Sequence, residues 1–303
     1  MNMFAGTAQA VQFNPDTGGT ETAEYIDKNG ERILVYSHMP GGEPSGGALI
    51  CGSFGLAFSQ NYRREVLLAR SLADRGIAVR RFHYRGLGES SGDSNETSFE
   101  SMLEDALCVA GPLVAELKGR PFAIMGTNWG AQIASAAAEQ LSADALALWD
   151  PVVSGRDLFR QIFRARWAGQ FSRGGSTPTT SAELLEAMQA NGSVDILGYP
   201  LSHRFYEDAL PRQIDGCPET RSMSVLIVSM GARGRPSKAH VALRDLFADK
   251  GHDADVVCAA GDETWWVSTS DGFVPEERRP LTASSLEATL SWMEQVFDGS
   301  QEG

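Results

Sequence analysis

The chain has 303 residues, 42% of them apolar and 21% charged, which suits one large α/β domain or one such domain carrying an insertion. Its formal charge of −13 argues against nucleic acid or a membrane surface as partner and leaves small molecules as the expected ligands. No stretch reaches the roughly 18 apolar residues of a spanning helix. The opening residues lack a secretory pattern, and the four cysteines (Cys51, Cys108, Cys217, Cys258) have no CxxC spacing, so a cytoplasmic protein with reduced thiols and neither metal nor cofactor is expected.

Residues 1–20 are rich in Gly, Thr and Asn and read as a loose arm. Two apolar runs then flank Asp27-Lys-Asn-Gly30, and Asn-Gly in that setting predicts a hairpin. From residue 48 the pattern alternates: a strand at 48–52, a helix at about 62–74, a strand at 77–84 and a helix at about 98–117 that opens with Ser98 and Ser101 as capping residues. A short apolar run at 121–127 passes directly into a small-residue helix, and a strand follows at 143–149. The rhythm breaks at 152–220, where helical spacing (Leu158, Phe159, Ile162, Phe163, Trp167) and turn residues alternate without an evident strand of the main sheet; a helical lid is the expected assignment. Strands at 224–230 and 255–260, each followed by a helix, resume the alternation and close the chain. The expected fold is α/β, a mostly parallel sheet with helices on both faces, with 21–151 and 221–303 as the core and the ligand site at the carboxyl ends of the strands.

The run Gly126-Thr-Asn128-Trp129-Gly130 between strand and helix has the layout of a nucleophile elbow, Gly-x-Ser-x-Gly. Gly52-Ser53-Phe54-Gly55 follows the first buried strand, and Phe82-His83-Tyr-Arg85-Gly86-Leu-Gly88-Glu-Ser90 follows the next. Together with the insertion, these motifs resemble the α/β-hydrolase superfamily over nearly the whole chain. Leu146-Ala-Leu-Trp-Asp150-Pro-Val-Val-Ser-Gly155 and Thr264-Trp265-Trp266 are most similar to the exosortase A system-associated hydrolases of the serine-aminopeptidase-like branch.

That resemblance implies a Ser–acid–His triad, and the sequence departs from it at each place. The elbow residue is Asn128, not Ser. After the strand at 224–230, where the family carries its acid, the chain reads Gly231-Ala-Arg233-Gly-Arg235. After the last strand, where the family carries its His, it reads Gly261-Asp262-Glu263-Thr-Trp265-Trp266. The five histidines (His38, His83, His203, His240, His252) all fall elsewhere.

The resemblance implies that the backbone N–H groups of Phe54 and Trp129 would still converge as the family's oxyanion site without the missing Ser, and Asn128 adds an amide that both donates and accepts. Candidate proton handlers are His83, Asp150, Asp262 and Glu263; each also has a plain structural reading as a turn or loop residue. Ser53, Phe54, Trp129, Trp265 and Trp266 are the expected substrate-binding residues. Arg156, Arg160, Arg164 and Arg166 in the insertion read as a solvated face or as a local anion-binding rim. Two functions stay open. One is an α/β-hydrolase-fold enzyme with non-triad chemistry on a carbonyl, ester or thioester-type small molecule, biosynthetic in role. The other is a non-catalytic pseudohydrolase that binds a ligand or a partner, a homodimer being compatible with either.

Overall fold

In a computed structural model, described over residues 10–172, 179–217, 221–230, 234–259 and 284–299, nine strands form one sheet. In chain order they are β1 (Ala10–Phe13), β2 (Thr20–Lys28), β3 (Glu31–Met39), β4 (Gly46–Cys51), β5 (Ile77–Phe82), β6 (Phe122–Thr127), β7 (Ala145–Trp149), β10 (Ser224–Met230) and β11 (Asp253–Ala259). Their order across the sheet is β1-β2-β3-β5-β4-β6-β7-β10-β11. The first three strands run antiparallel to their neighbours, and β5, β4, β6, β7, β10 and β11 pair in parallel. The α/β class and the mostly parallel sheet expected from the sequence are therefore observed.

Central parallel strands are covered on both faces, which is why β4, β5, β6 and β7 are buried along their whole length and read as near-continuous apolar runs. Alternate side chains divide between two cores. Leu49, Ile124, Leu146 and Ile227 face α2 (Phe99–Leu117), α3 (Gly130–Gln140) and α7 (Lys238–Asp249). Ala48, Met125, Ala147 and Val228 face α1 (Leu56–Ala73) and α8 (Ser284–Gly299). In the second core, Leu286, Leu290, Met293 and Phe297 of α8 are buried, and Trp149 Nε1 donates to Thr289 Oγ1 at 2.8 Å.

The chain enters β4, crosses by α1 to β5 on one side, and returns by α2 to β6 on the other. This reversal makes the carboxyl ends of β4 and β6 the topological switch point, where open α/β sheets form their ligand crevice.

Between β7 and β10 lie α4 (Gly155–Ser172), α5 (Ser181–Asn191), the antiparallel hairpin β8 (Ser193–Ile196) and β9 (Tyr199–Ser202), and α6 (His203–Ala209). The hairpin is an addition to the all-helical insertion expected; its turn places Leu197 (φ 57) and Gly198 (φ 93) in the left-handed region. Two further expectations are corrected. Residues 10–13 of the expected loose arm pair with β2, and Asn14 Nδ2 and Thr17 Oγ1 both donate to Asp74 Oδ1, at 3.1 and 3.0 Å. Helix α1 begins at Leu56 rather than near Tyr62, because Gly55 (φ 59) turns the chain into it without a capping side chain. The Asn29-Gly30 hairpin is as expected, with both residues at positive φ (57 and 86), the requirement of a type I′ turn.

Candidate functional site

At the end of β6 three backbones touch. A Cβ on Gly126 would lie 2.5 Å from Ala131 Cα, and one on Gly130 would lie 2.2 Å from the Cys51 carbonyl oxygen and 2.4 Å from that of Gly52. Glycine on both sides of Thr127-Asn128-Trp129 is thus what lets strand, helix and the loop after β4 meet. Asn128 itself has φ 51. Among residues with a Cβ, asparagine is one of the few that visit this region readily, because its short amide hydrogen-bonds locally in place of a favourable backbone.

The main chain of Asn128 is fully used: its N–H donates to Trp149 O at 2.9 Å, and its carbonyl accepts from Ala131 and Val152 N–H, each at 3.2 Å. Its half-buried side-chain amide, in contrast, has no hydrogen bond among the described residues. The backbone N–H groups of Phe54 and Trp129 likewise donate to no described acceptor. Among the described residues, then, three polar groups of the elbow and the loop after β4 make no hydrogen bond, where buried polar groups ordinarily find partners.

The side chains expected to bind substrate are placed differently. Ser53 is fully buried; its hydroxyl donates to Thr127 O at 3.0 Å, lies 2.9 Å from Thr127 Oγ1 and accepts from Asn61 Nδ2 at 3.1 Å. It braces the framework, which corrects its assignment as a substrate contact. The Trp129 indole is fully buried against Phe205 of α6, with centroids 5.8 Å apart, and Phe54 stacks on the same ring at 4.2 Å. Both residues present main chain to the turn and put their rings into the core. Phe205 had no signal in the sequence beyond its place in an apolar segment.

His83 lies at the end of β5, only 4% exposed, among the rings of Tyr36, Phe58 and Tyr62. Its Nδ1 accepts from Glu89 N–H at 3.2 Å, so the neutral ring carries its proton on Nε2, which is buried without a hydrogen-bond partner. Burial, reinforced by the nearby Arg81 guanidinium, lowers its pKa to about 4. No hydrogen bond or ion pair joins it to Asn128 among the described residues. The structure thus makes His83 the closure of the Gly86–Gly88 loop, which corrects its expected role as a proton handler.

Asp150 follows β7, beside the elbow, and also has positive φ (42). Its Oδ1 accepts from Met230 N–H at 3.3 Å and lies 4.0 Å from His240 Nδ1, and the side chain remains 44% exposed. His240 is held at both nitrogens, by Ser229 Oγ at 2.8 Å and by the Pro151 carbonyl at 3.1 Å. It brackets β7, β10 and α7. Asp262, Glu263, Trp265, Trp266 and Arg233 lie outside the described residues. Arg235 is exposed. In the insertion, Arg156, Arg160 and Arg164 are exposed, and Arg160 pairs with Asp157 at 2.7 Å.

Sequence reasoning missed Glu65. This carboxyl, 5% exposed, accepts from the Thr127 hydroxyl, directly under the turn. Burial pushes its pKa up, opposed by the Thr127 hydrogen bond and by Arg81. The available signal was its phase: Glu65 stands three and seven residues before Leu68 and Leu72, on the buried stripe of α1.

The nine-stranded sheet, the glycine-flanked elbow at the switch point and the loop after β4 define the α/β-hydrolase fold. Residues 57–190 match the family model described as serine aminopeptidase, S33. Among solved structures, Est1E from Butyrivibrio proteoclasticus with ferulic acid bound is similar over 92% of this chain and 98% of its own, at 18% identity and a TM-score of 0.59. A carboxyl esterase from Bacillus coagulans, in complex with glycerol, is similar over 92% and 99%, at 16% identity and 0.59. The mouse alpha/beta hydrolase domain-containing protein 10 is similar over 91% and 98%, at 16% identity and 0.56. At such identities the likeness is one of fold. No curated protein sequence matches the chain.

Proposed function

We propose that this chain is an α/β-hydrolase-fold enzyme that acts on a carbonyl, ester or thioester-type small molecule without a serine nucleophile. In this reading the N–H groups of Phe54 and Trp129 hold the carbonyl oxygen as negative charge grows on it, and the Asn128 amide orients the same group. Preorganised donors of this kind stabilise an oxyanion by about 3 kcal/mol each, so two of them supply substantial polarisation without covalent attack. The observation that carries the reading is that the Phe54 and Trp129 N–H groups and the Asn128 amide make no hydrogen bond among the described residues, although the main chain of Asn128 is fully bonded. Asp150, Asp262 and Glu263 are the proton handlers of this reading. The insertion serves as its lid, since Phe205 stacks on the loop that carries the Phe54 donor.

A second reading, a non-catalytic binding protein, is favoured by one observation: among the described residues no acid or base is bonded to Asn128. Two measurements separate the readings. A fluorophosphonate probe is expected to leave the protein unlabelled; labelling would refute the loss of a serine nucleophile. Native mass spectrometry is expected to show a co-purified or added carbonyl compound bound to the wild type. Its conversion to product, lost in Asn128→Ala, supports the enzyme, and retention without conversion supports the binding protein.

A further inference from the structure

Beneath the two N–H donors lies a carboxyl that no strand end supplies. Glu65 accepts from Thr127 Oγ1, which also lies 2.9 Å from Ser53 Oγ, and the Glu65 carboxyl lies against the backbone at Gly52. Ser53 precedes Phe54, and Thr127 is two residues before Trp129, so this one side chain grips both segments that carry the donors. The Ser53 hydroxyl closes the same circuit by donating to the Thr127 carbonyl at 3.0 Å, and Asn61 Nδ2 holds that hydroxyl at 3.1 Å. Gly52 leaves the room required, since a Cβ there would come within 3.2 Å of Glu65 Oε2. Along the same helix, Arg64 donates to Asn61 Oδ1 at 2.9 Å and to Met230 Sδ at 2.8 Å, which extends the network to the end of β10.

A helix that needed only to pack would place an apolar residue in phase with Leu68 and Leu72. A carboxyl there is unfavourable unless it is hydrogen-bonded, and here its bond goes to Thr127, one of the residues that space the donors. We propose that Glu65 is a positioning residue, which sets the separation of the Phe54 and Trp129 N–H groups by tying Ser53 to Thr127. The proposal rests on the oxyanion reading of those donors. Glutamine keeps an acceptor for the Thr127 hydroxyl and leucine does not.

The test is amide-resolved NMR of the full chain, free and titrated with benzoate as a carboxylate probe, for the wild type, Glu65→Gln and Glu65→Leu. In the free protein, Glu65→Gln is expected to leave the Phe54 and Trp129 amide resonances in place and Glu65→Leu to move both. Benzoate affinity should stay within about twofold in Glu65→Gln and fall about tenfold or more in Glu65→Leu, the scale of a misplaced contact. A folded Glu65→Leu protein with both resonances and the affinity unchanged overturns the proposal. If Glu65→Leu does not fold, Thr127→Val decides instead: it removes only the bridging hydroxyl, and unmoved Phe54 and Trp129 amides in that variant overturn the proposal equally. Wild-type amides that ignore benzoate defeat the oxyanion reading, whereas the free-protein spectra still decide whether Glu65 sets their positions.

Discussion

The turn after β6 and the turn after β5 leave the same edge of the sheet, both bounded by glycine and both carrying a polar side chain. At the first, Asn128 is half-buried, and among the described residues neither its amide nor the Phe54 and Trp129 N–H groups make a hydrogen bond. At the second, His83 is enclosed by three aromatic rings, and its Nδ1 is committed to Glu89 N–H. Gly88 (φ 57) is required there because a Cβ would lie 2.4 Å from His83 Nδ1. Residue type alone ranks the imidazole as the better chemical group. Access reverses the ranking: the His83 ring is sealed in the core with its Nε2 unpartnered, whereas the Asn128 amide is only half-buried.

The harshest way to break the contrast is to spoil the elbow itself. Gly130→Ala drives a methyl group into the carbonyls of Cys51 and Gly52, and is expected to cost about 4 kcal/mol in urea unfolding, with loss of benzoate binding. A small change in stability would show that the three backbones are less tightly joined than they are here.

Acid tests the second turn. Folding lowers the pKa of His83 to about 4, and that of His38, which is buried and beside Arg81, to about 4 as well. The unfolded chain therefore binds more protons than the folded one between about pH 6.5 and pH 4. Stability from these rings is complete above that window and is lost as the pH falls through it, by roughly 3 kcal/mol for each ring. Urea unfolding of wild type and His83→Phe at pH 7 and pH 4.5 should show a shallower loss in the variant. An equal loss would mean that His83 titrates normally and is open to solvent.

A finer test separates backbone from side chain at Asn128. Because φ is 51, Asn128→Ala should cost about 1–2 kcal/mol, and Asn128→Gly well under 1 kcal/mol. Both should lose ligand affinity if the amide contacts the ligand. Affinity lost only in the alanine variant would assign Asn128 to the turn alone. At the small end, Arg160→Ala should change stability by less than about 0.5 kcal/mol, since its pair with Asp157 is exposed.

Much of the architecture was legible because it rests on local rules. The central strands are apolar runs, Asn29-Gly30 can hardly do anything but turn, and Ser98 with Ser101 forms the capping box expected. What escaped depends on distant partners. β1 exists through pairing with β2, and the β8–β9 hairpin turns on a leucine at positive φ, which no turn rule favours. The candidate site divides in the same manner. Gly126, Asn128 and Gly130 announce the elbow in one line of sequence. Glu65 reads as one more charge on a helix until the strands bring Ser53 and Thr127 onto it.

The placement of α8 has a consequence for how the chain is made. Its leucines, Met293 and Phe297 cover a sheet face to which Ala48, Ile50 and Met125 belong, strands synthesised long before. Gly46 even leaves a hollow for the Phe297 ring, whose Cε2 would lie 2.6 Å from a Cβ there. Until residues 284–299 emerge from the ribosome, α1 is the one other described helix that shields that face. A nascent or truncated chain of this protein therefore carries a sticky aliphatic surface, a natural substrate for holding chaperones and a seed for aggregation.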